Sequence, residues 1–233
     1  MKAVILAGGK GTRLRPYTTV IPKPLVPIGE KAIIEILLNQ LYRYKVDEIF
    51  VCVNHFAELI KAFLGDGSKY GIKINYSLES TELGTVAPLK LLENLPEDFL
   101  VMNGDLLTDL NFGDLFKYHL NNNAGLTIAT YSRDSKIDFG VIKSSDYDSS
   151  VIEFIEKPIY KFEVSMGVYV MNKKILNLIP SNIHFGFDDL IHYLINNKIQ
   201  IKTFLYDGYW LDIGRPDDYE KANLDIDKID FIN

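Results

Sequence analysis

The chain of 233 residues, 47% hydrophobic and 24% charged, is long enough to build one large domain around a sizeable core. Its 31 acidic against 25 basic residues, a formal net charge of −6, argue against nucleic acid as the main partner, and no apolar run approaches the ~20 residues of a membrane-spanning helix. The single cysteine, Cys52, allows no internal disulfide, and the chain opens on a strand pattern rather than a secretory signal, so the expectation is a cytoplasmic protein that engages no membrane.

A short apolar strand, Ala3-Val4-Ile5-Leu6, runs directly into A-G-G-K-G-T-R-L-R-P-Y-T-T-V-I-P-K-P-L-V-P over residues 7–27. Gly8, Gly9 and Gly11 let the backbone close on an anion and turn its N–H groups inward as a nest. Arg13 supplies a planar fork for phosphate oxygens, and Lys23, held between Pro22 and Pro24, a point charge. A turn that served only the backbone would need neither. Two better-known phosphate loops do not fit: a dinucleotide fingerprint needs a third glycine where Leu14 stands, and a Walker loop needs Ser or Thr where Gly11 follows Lys10.

Ile33, Ile34, Leu37, Leu38 and Leu41 recur at helical spacing and predict a helix over 32–44. A buried strand over 49–53 carries Cys52 as an inert thiol, a helix over 56–64 ends at Gly65, and a strand follows over 72–78. A helix is expected from Ala87-Pro88, with Pro88 in its first turn, and then a fully apolar strand over 99–102 that ends on Asn103-Gly104-Asp105. This β-α-β rhythm implies an α/β, doubly wound, mostly parallel sheet with helices on both faces. In the second half, strands are expected over 140–143 and 151–156 around the polar turn 144–150, and again over 164–171 and 201–205. Helices are expected over 173–179, 187–196 and 216–223. With no linker or repeat, residues 1–223 read as one domain whose second half continues the same sheet, followed by an acidic tail over 224–233.

Several residues carry chemistry. Asp105 follows a buried strand at its carboxyl end, where open α/β sheets place ligands, and Asp212 lies in G-Y-W-L-D-I-G-R-P. Two carboxylates from distant segments suit Mg²⁺, which takes one or two of them plus substrate phosphates; the alternative is a turn cap and a surface ion pair. In Leu83-Gly84-Thr85, Gly84 permits a flat base to lie on the backbone, or the pair is a turn with Thr85 as a helix cap. Glu156-Lys157 is either a ligand pair or an ordinary surface pair. His55, His119, His184 and His192 make no metal-ligand spacing, and no Ser-His-Asp or Cys-His arrangement is found.

The string L-A-G-G-x-G-T-R-L-x-P-x-T followed by P-K-P-L-x-P, met by residues 6–27, resembles the sugar-1-phosphate nucleotidylyltransferases, and the resemblance extends to about Asn223. In motif it is most similar to mannose-1-phosphate guanylyltransferase-like members. The resemblance implies a single Rossmann-like fold with a sugar-binding second half. It implies Mg-dependent transfer of a nucleotidyl group from an NTP to a sugar 1-phosphate, with Arg13, Lys23, Asp105 and Asp212 catalytic and the two aspartates holding the metal. It implies a nucleotide site of Leu6, Ala7, Gly8, Gly9, Gly11, Thr12, Arg13, Lys23, Glu79, Gly84 and Thr85, in which Glu79 could accept from guanine, and a sugar-phosphate site of Gly140, Glu156, Lys157, Ser165 and Gly167. Val86-Ala87 and Met166 depart from the small residues of the family pattern. GTP with a mannose-type sugar leads; glucose 1-phosphate with dTTP or UTP, and a non-catalytic relative that senses an NDP-sugar, are the alternatives, and a homo-oligomer is compatible with either.

Overall fold

Successive side chains of a strand point to opposite faces of a sheet, so a run such as Ala3-Val4-Ile5 is fully apolar only where both faces are covered. The computed structural model, which describes residues 1–79, 82–181 and 183–226, has that arrangement. The chain begins with β1 (Lys2–Leu6), the short strands β2 (Pro27–Ile28) and β3 (Lys31–Ala32), and α1 (Ile33–Arg43). Next come β4 (Glu48–Val53), α2 (Ala57–Leu64), β5 (Lys73–Leu78), β6 (Asp98–Asn103), β7 (Leu106–Thr108) and α3 (Phe112–Asn122). The second half holds β8 (Leu126–Lys136), β9 (Val141–Ser144), β10 (Val151–Ile155), β11 (Ile159–Asn172), α4 (Phe187–Asn196), β12 (Ile201–Tyr206), β13 (Trp210–Asp212) and α5 (Pro216–Asp225).

Seven strands form one sheet in the order β12-β8-β11-β6-β1-β4-β5. β5, β4, β1 and β6 pair in parallel, β8 and β12 are parallel to each other, and β11 runs antiparallel to both β6 and β8. One face carries Ala3, Ile5, Ile49, Val51, Leu100 and Met102 under α1, α2 and α3. The other carries Val4, Phe50, Cys52, Phe99 and Val101 under α4 and two 3₁₀ turns. A third, smaller cluster joins Leu14, Ile28, Ile33, Leu107, Leu211 and Ile213 beneath the loop that follows β1. Burial, and then the charge of Glu79, push the Cys52 thiol up to about 12, so it stays protonated and inert. Among the described residues no helix is long and apolar enough to cross a membrane.

Two expected helices are 3₁₀ turns instead, Ala87–Leu91 and Lys173–Leu178. In the first, the N–H groups of Val86 and Ala87 both donate to the Phe185 carbonyl, and Asn94 takes a positive φ of 60° before Pro96. In the second, Pro180 holds Ile179 extended (ψ 125°), which ends the turn early. β7, α3, β8 and β13 were not expected from the sequence. The hairpin of β9 and β10 pairs only with itself among the described residues, outside the main sheet. Helix α5 runs through Asp225; residues 227–233 of the acidic tail lie outside the described residues.

Ile213 is fully buried in the third cluster, directly after β13. Ile213→Ala should cost about 2–5 kcal/mol in urea unfolding, the range for truncating a well-packed aliphatic side chain. A loss below about 0.5 kcal/mol, the level of surface substitutions, would show that this cluster does not support the chain end that carries Asp212.

Candidate functional site

Strand β1 lies inside the parallel part of the sheet, and the loop that leaves it is held on both sides. Ala7 N–H donates to the Cys52 carbonyl (2.9 Å), and Gly104 N–H donates to the Leu6 carbonyl (2.9 Å). After β1 the chain winds outward through β4 and β5, then returns to place β6 on the opposite flank. A crevice opens at the carboxyl ends of parallel strands where the winding reverses in this way. Gly11 has a φ of +60°, and a Cβ there would stand 3.1 Å from both Lys23 Cβ and Thr18 Cγ2, so the tight turn needs glycine for conformation and for space. The buried Thr18 hydroxyl donates to the Gly11 carbonyl at 2.7 Å, and fully buried Leu14 anchors the 3₁₀ turn that carries Arg13.

The resulting cleft, about 340 Å³, is lined by Leu6, Ala7, Gly8, Gly9, Gly11, Thr12, Arg13, Lys23, Thr85 and Asp105 from the expected set. It is also lined by Lys10, Pro24, Asn103, Gly104 and Gly214, which the sequence reading did not single out. Asn103 and Gly104 could have been found, because they continue β6 at the end where Asp105 was expected to act.

Asp105 and Asp212 meet through backbone pairing. Strands β7 and β13 form an antiparallel ladder, Trp210 opposite Thr108, Leu211 opposite Leu107 and Asp212 opposite Leu106, and Ile213 N–H adds a bond to the Asp105 carbonyl (3.1 Å). Lys23, 8% exposed, is ion-paired with Asp105 Oδ2 and lies 3.8 Å from Asp212 Oδ1. The cleft walls around the Asp212 carboxyl raise its pKa by desolvation, and the charge of Asp105 raises it further, against the pull of Lys23 and Arg13. Its side chain nonetheless keeps 43% of its surface open to an incoming ligand. Asp105 Oδ1 is buried and has no hydrogen-bond partner among the described residues. A buried carboxylate oxygen without a donor, beside a second carboxylate, fits a hard divalent cation that takes its remaining ligands from phosphates and water. Among the described residues no group of three or more His, Cys, Asp or Glu is gathered for a metal, so a cation here would rest on these two aspartates and its substrate.

Gly84 (φ +88°) does not itself line the cleft; it precedes Thr85 and lies against the Phe185 carbonyl, 2.8 Å from where a Cβ would stand. The Thr85 hydroxyl accepts from Phe187 N–H (3.0 Å), so it caps the first turn of α4 rather than a helix of its own. Glu79 is buried behind the glycine loop, with its Oε1 3.0 Å from the position of a Gly8 Cβ and its Oε2 accepting from Leu83 N–H (3.4 Å). Burial raises its pKa, offset in part by that N–H and by the Asn54 side chain. Glu79 does not line the cleft.

A second cleft of about 810 Å³ adjoins the first, sharing Arg13 and Gly214, and is walled by Tyr131, Arg133, Trp210 and Asp212. Trp210 Nε1–H donates to the Met166 carbonyl (3.0 Å), which ties β13 to the irregular stretch of β11 between Ser165 and Tyr169. Ser165 lies in that stretch and bonds Tyr169 and Gly167 N–H, and Gly167 packs on the Asn103 side chain. Gly140, Glu156 and Lys157 line neither cleft. Gly140 lies beside Phe154 in the exposed hairpin of β9 and β10, and Glu156 and Lys157, 4.0 Å apart, follow β10 with some 60% of each side chain in solvent.

Residues 2–229 match the nucleotidyl transferase family. The chain is 34% identical over 242 residues to the UTP--glucose-1-phosphate uridylyltransferase of Synechocystis sp., covering 95% of this chain and 62% of that protein. It is 35% identical over 230 residues to the mannose-1-phosphate guanyltransferase of Yarrowia lipolytica, covering 94% and 62%. The chain thus spans under two thirds of the length of these relatives. Among solved structures it resembles HddC from Yersinia pseudotuberculosis (29% identity, TM-score 0.76, 97% and 99% of the two chains) and the same protein complexed with GMP-PN (28% identity, TM-score 0.73).

Removing Lys23 strips Asp105 of its ion-pair partner and leaves Asp212 with the pull of Arg13 alone. Lys23→Met should therefore cost about 3–5 kcal/mol of stability, and adding Asp105→Asn should recover part of it. Unfolding curves in which the two losses simply add would show that the ion pair does not hold this end of the fold.

Proposed function

The chain belongs to the nucleotidyl transferase family, and from that premise we propose that it transfers a nucleotidyl group from an NTP to a sugar 1-phosphate, releasing pyrophosphate. The observation that carries the reading is the meeting of Asp105, Lys23 and Asp212 beside a glycine loop at the carboxyl ends of parallel strands. An oxygen of the sugar phosphate forms a bond to the α-phosphorus, and the bond from that phosphorus to the pyrophosphate oxygen breaks. A phosphomonoester is mostly dianionic at pH 7, with a second pKa of about 6, so the nucleophile needs no general base. The protein's task is to position the two substrates and to balance their charge.

Asp105 and Asp212 would hold Mg²⁺, which when bound neutralises phosphate oxygens and orients them for in-line displacement. The glycine-loop N–H groups and Arg13 cradle the triphosphate, and Lys23 turns its ammonium from the carboxylates to phosphate oxygens as these arrive. The base lies against Gly84 and Thr85, whose backbone is braced by Phe185 and α4. The sugar phosphate takes the adjoining cleft, beside Trp210 and Tyr131. Ser165, Gly167, Glu156 and Lys157 lie outside its lining and would have to reach the sugar from β11 and from the end of the β9–β10 hairpin.

GTP with a mannose-type sugar is the favoured pair. The mannose-1-phosphate guanyltransferase of Yarrowia lipolytica and the GMP-PN complex of HddC support it. The uridylyltransferase of Synechocystis keeps UTP with glucose 1-phosphate as the second reading. A screen for pyrophosphate release with four NTPs against a panel of sugar 1-phosphates separates the two, and release from none of the pairs would defeat the transferase reading.

Asp212→Asn removes one ligand charge without a change of shape. Turnover at saturating magnesium should fall at least about 100-fold, the scale of losing one electrostatic transition-state contact, with little change in unfolding midpoint. Near-wild-type turnover would remove Asp212 from the site.

A further inference from the structure

Thr85 lines the cleft together with the glycine loop, and an ion pair between Lys10 Nζ and Glu82 Oε1 joins that loop to the segment that leads to Thr85. Lys10 lines the cleft, yet 59% of its side chain and 63% of that of Glu82 are exposed. At neighbouring Gly9 no atom lies within 4 Å of where its Cβ would stand. The hydrogen bond from Lys10 and then its charge lower the pKa of Glu82. An ion pair so exposed is weak in water and is readily exchanged for a stronger anion. A nucleoside triphosphate entering this cleft brings several negative charges to within reach of Lys10 and repels Glu82.

We propose that Lys10 is a triphosphate-binding residue and that Glu82 holds it in reserve, so that an entering nucleotide must displace the Glu82 carboxylate from its ammonium. This rests on the nucleotidyl-transfer reading above. Glu82 is then a positioning residue that touches no substrate, while Lys10 changes partner on binding. The competition acts on phosphates, so it operates alike for every base.

The test is equilibrium binding of GTP, UTP and guanosine with magnesium at low salt, by titration calorimetry. Glu82→Gln should tighten both triphosphates about three- to tenfold, the scale of releasing an exposed ion pair together with a repelling charge, and leave guanosine unchanged. Lys10→Met should weaken both triphosphates and reduce the gain from Glu82→Gln to the smaller part that comes from relieved charge repulsion. Raising salt to about 0.5 M should shrink the Glu82→Gln effect. Three results would each overturn the inference: unchanged triphosphate affinity in Glu82→Gln, the same gain with Lys10 already removed, or a loss confined to GTP, which would make Glu82 an acceptor for guanine. A wild-type chain that binds neither triphosphate would instead defeat the transferase reading itself.

Discussion

Two carboxylates that repel one another are held at one end of the sheet by an ammonium ion and a short backbone ladder. Asp105 and Asp212 are separated by more than a hundred residues, and neither would be drawn to the other in water. The β7–β13 ladder and the bond from Ile213 N–H fix their backbones. Fully buried Leu14 and Ile213, with Leu107 and Leu211, pack that ladder beneath the glycine loop. Lys23 balances the charge from the P-K-P turn. The packing therefore supplies the free energy that the carboxylates oppose, and the same packing keeps Arg13 on the shared wall of the two clefts.

The cleft divides its work between rigid and exchangeable parts. Backbone at Gly11 and Gly84 is fixed by conformations and close approaches that a Cβ would spoil, and Thr85 ties one wall to α4. The ionic contacts are of another kind: Lys23 with the aspartates and Lys10 with Glu82 are pairs that a polyanion can replace. A site that exchanges one set of anions for another avoids leaving bare charge buried before substrate arrives.

Much of this was legible in the sequence where local chemistry dictates structure. The apolar runs at 3–6, 49–53 and 99–102 are buried strands, and the glycine loop lies where a strand ends. The helical spacing of Ile33 to Leu41 became α1. α3 was legible but passed over: Phe112, Leu115, Phe116 and His119 recur at helical spacing, and the Asn111 side chain caps the start by accepting from Gly113 and Asp114 N–H. β7 and β13 are three residues each and exist only because they pair across the chain, which no local pattern announces. Glu79 illustrates the limit at the site: its motif suggests a base contact, while its carboxylate sits behind Gly8, accepts from Leu83 N–H and does not line the cleft. The hairpin with Gly140, followed by Glu156 and Lys157, has the expected residues in order, yet among the described residues it pairs only with itself.

The central claim is that the Asp105–Asp212 pair forms one divalent-cation site completed by a triphosphate. Manganese, which is paramagnetic and oxygen-seeking like magnesium, reports this directly through electron paramagnetic resonance titration of the chain with GTP present. The account predicts one manganese ion per chain, bound far more weakly in Asp105→Asn/Asp212→Asn, by more than the roughly 10–100-fold that the loss of an outer-shell partner costs. Manganese affinity in the double variant equal to that of the wild type would contradict it.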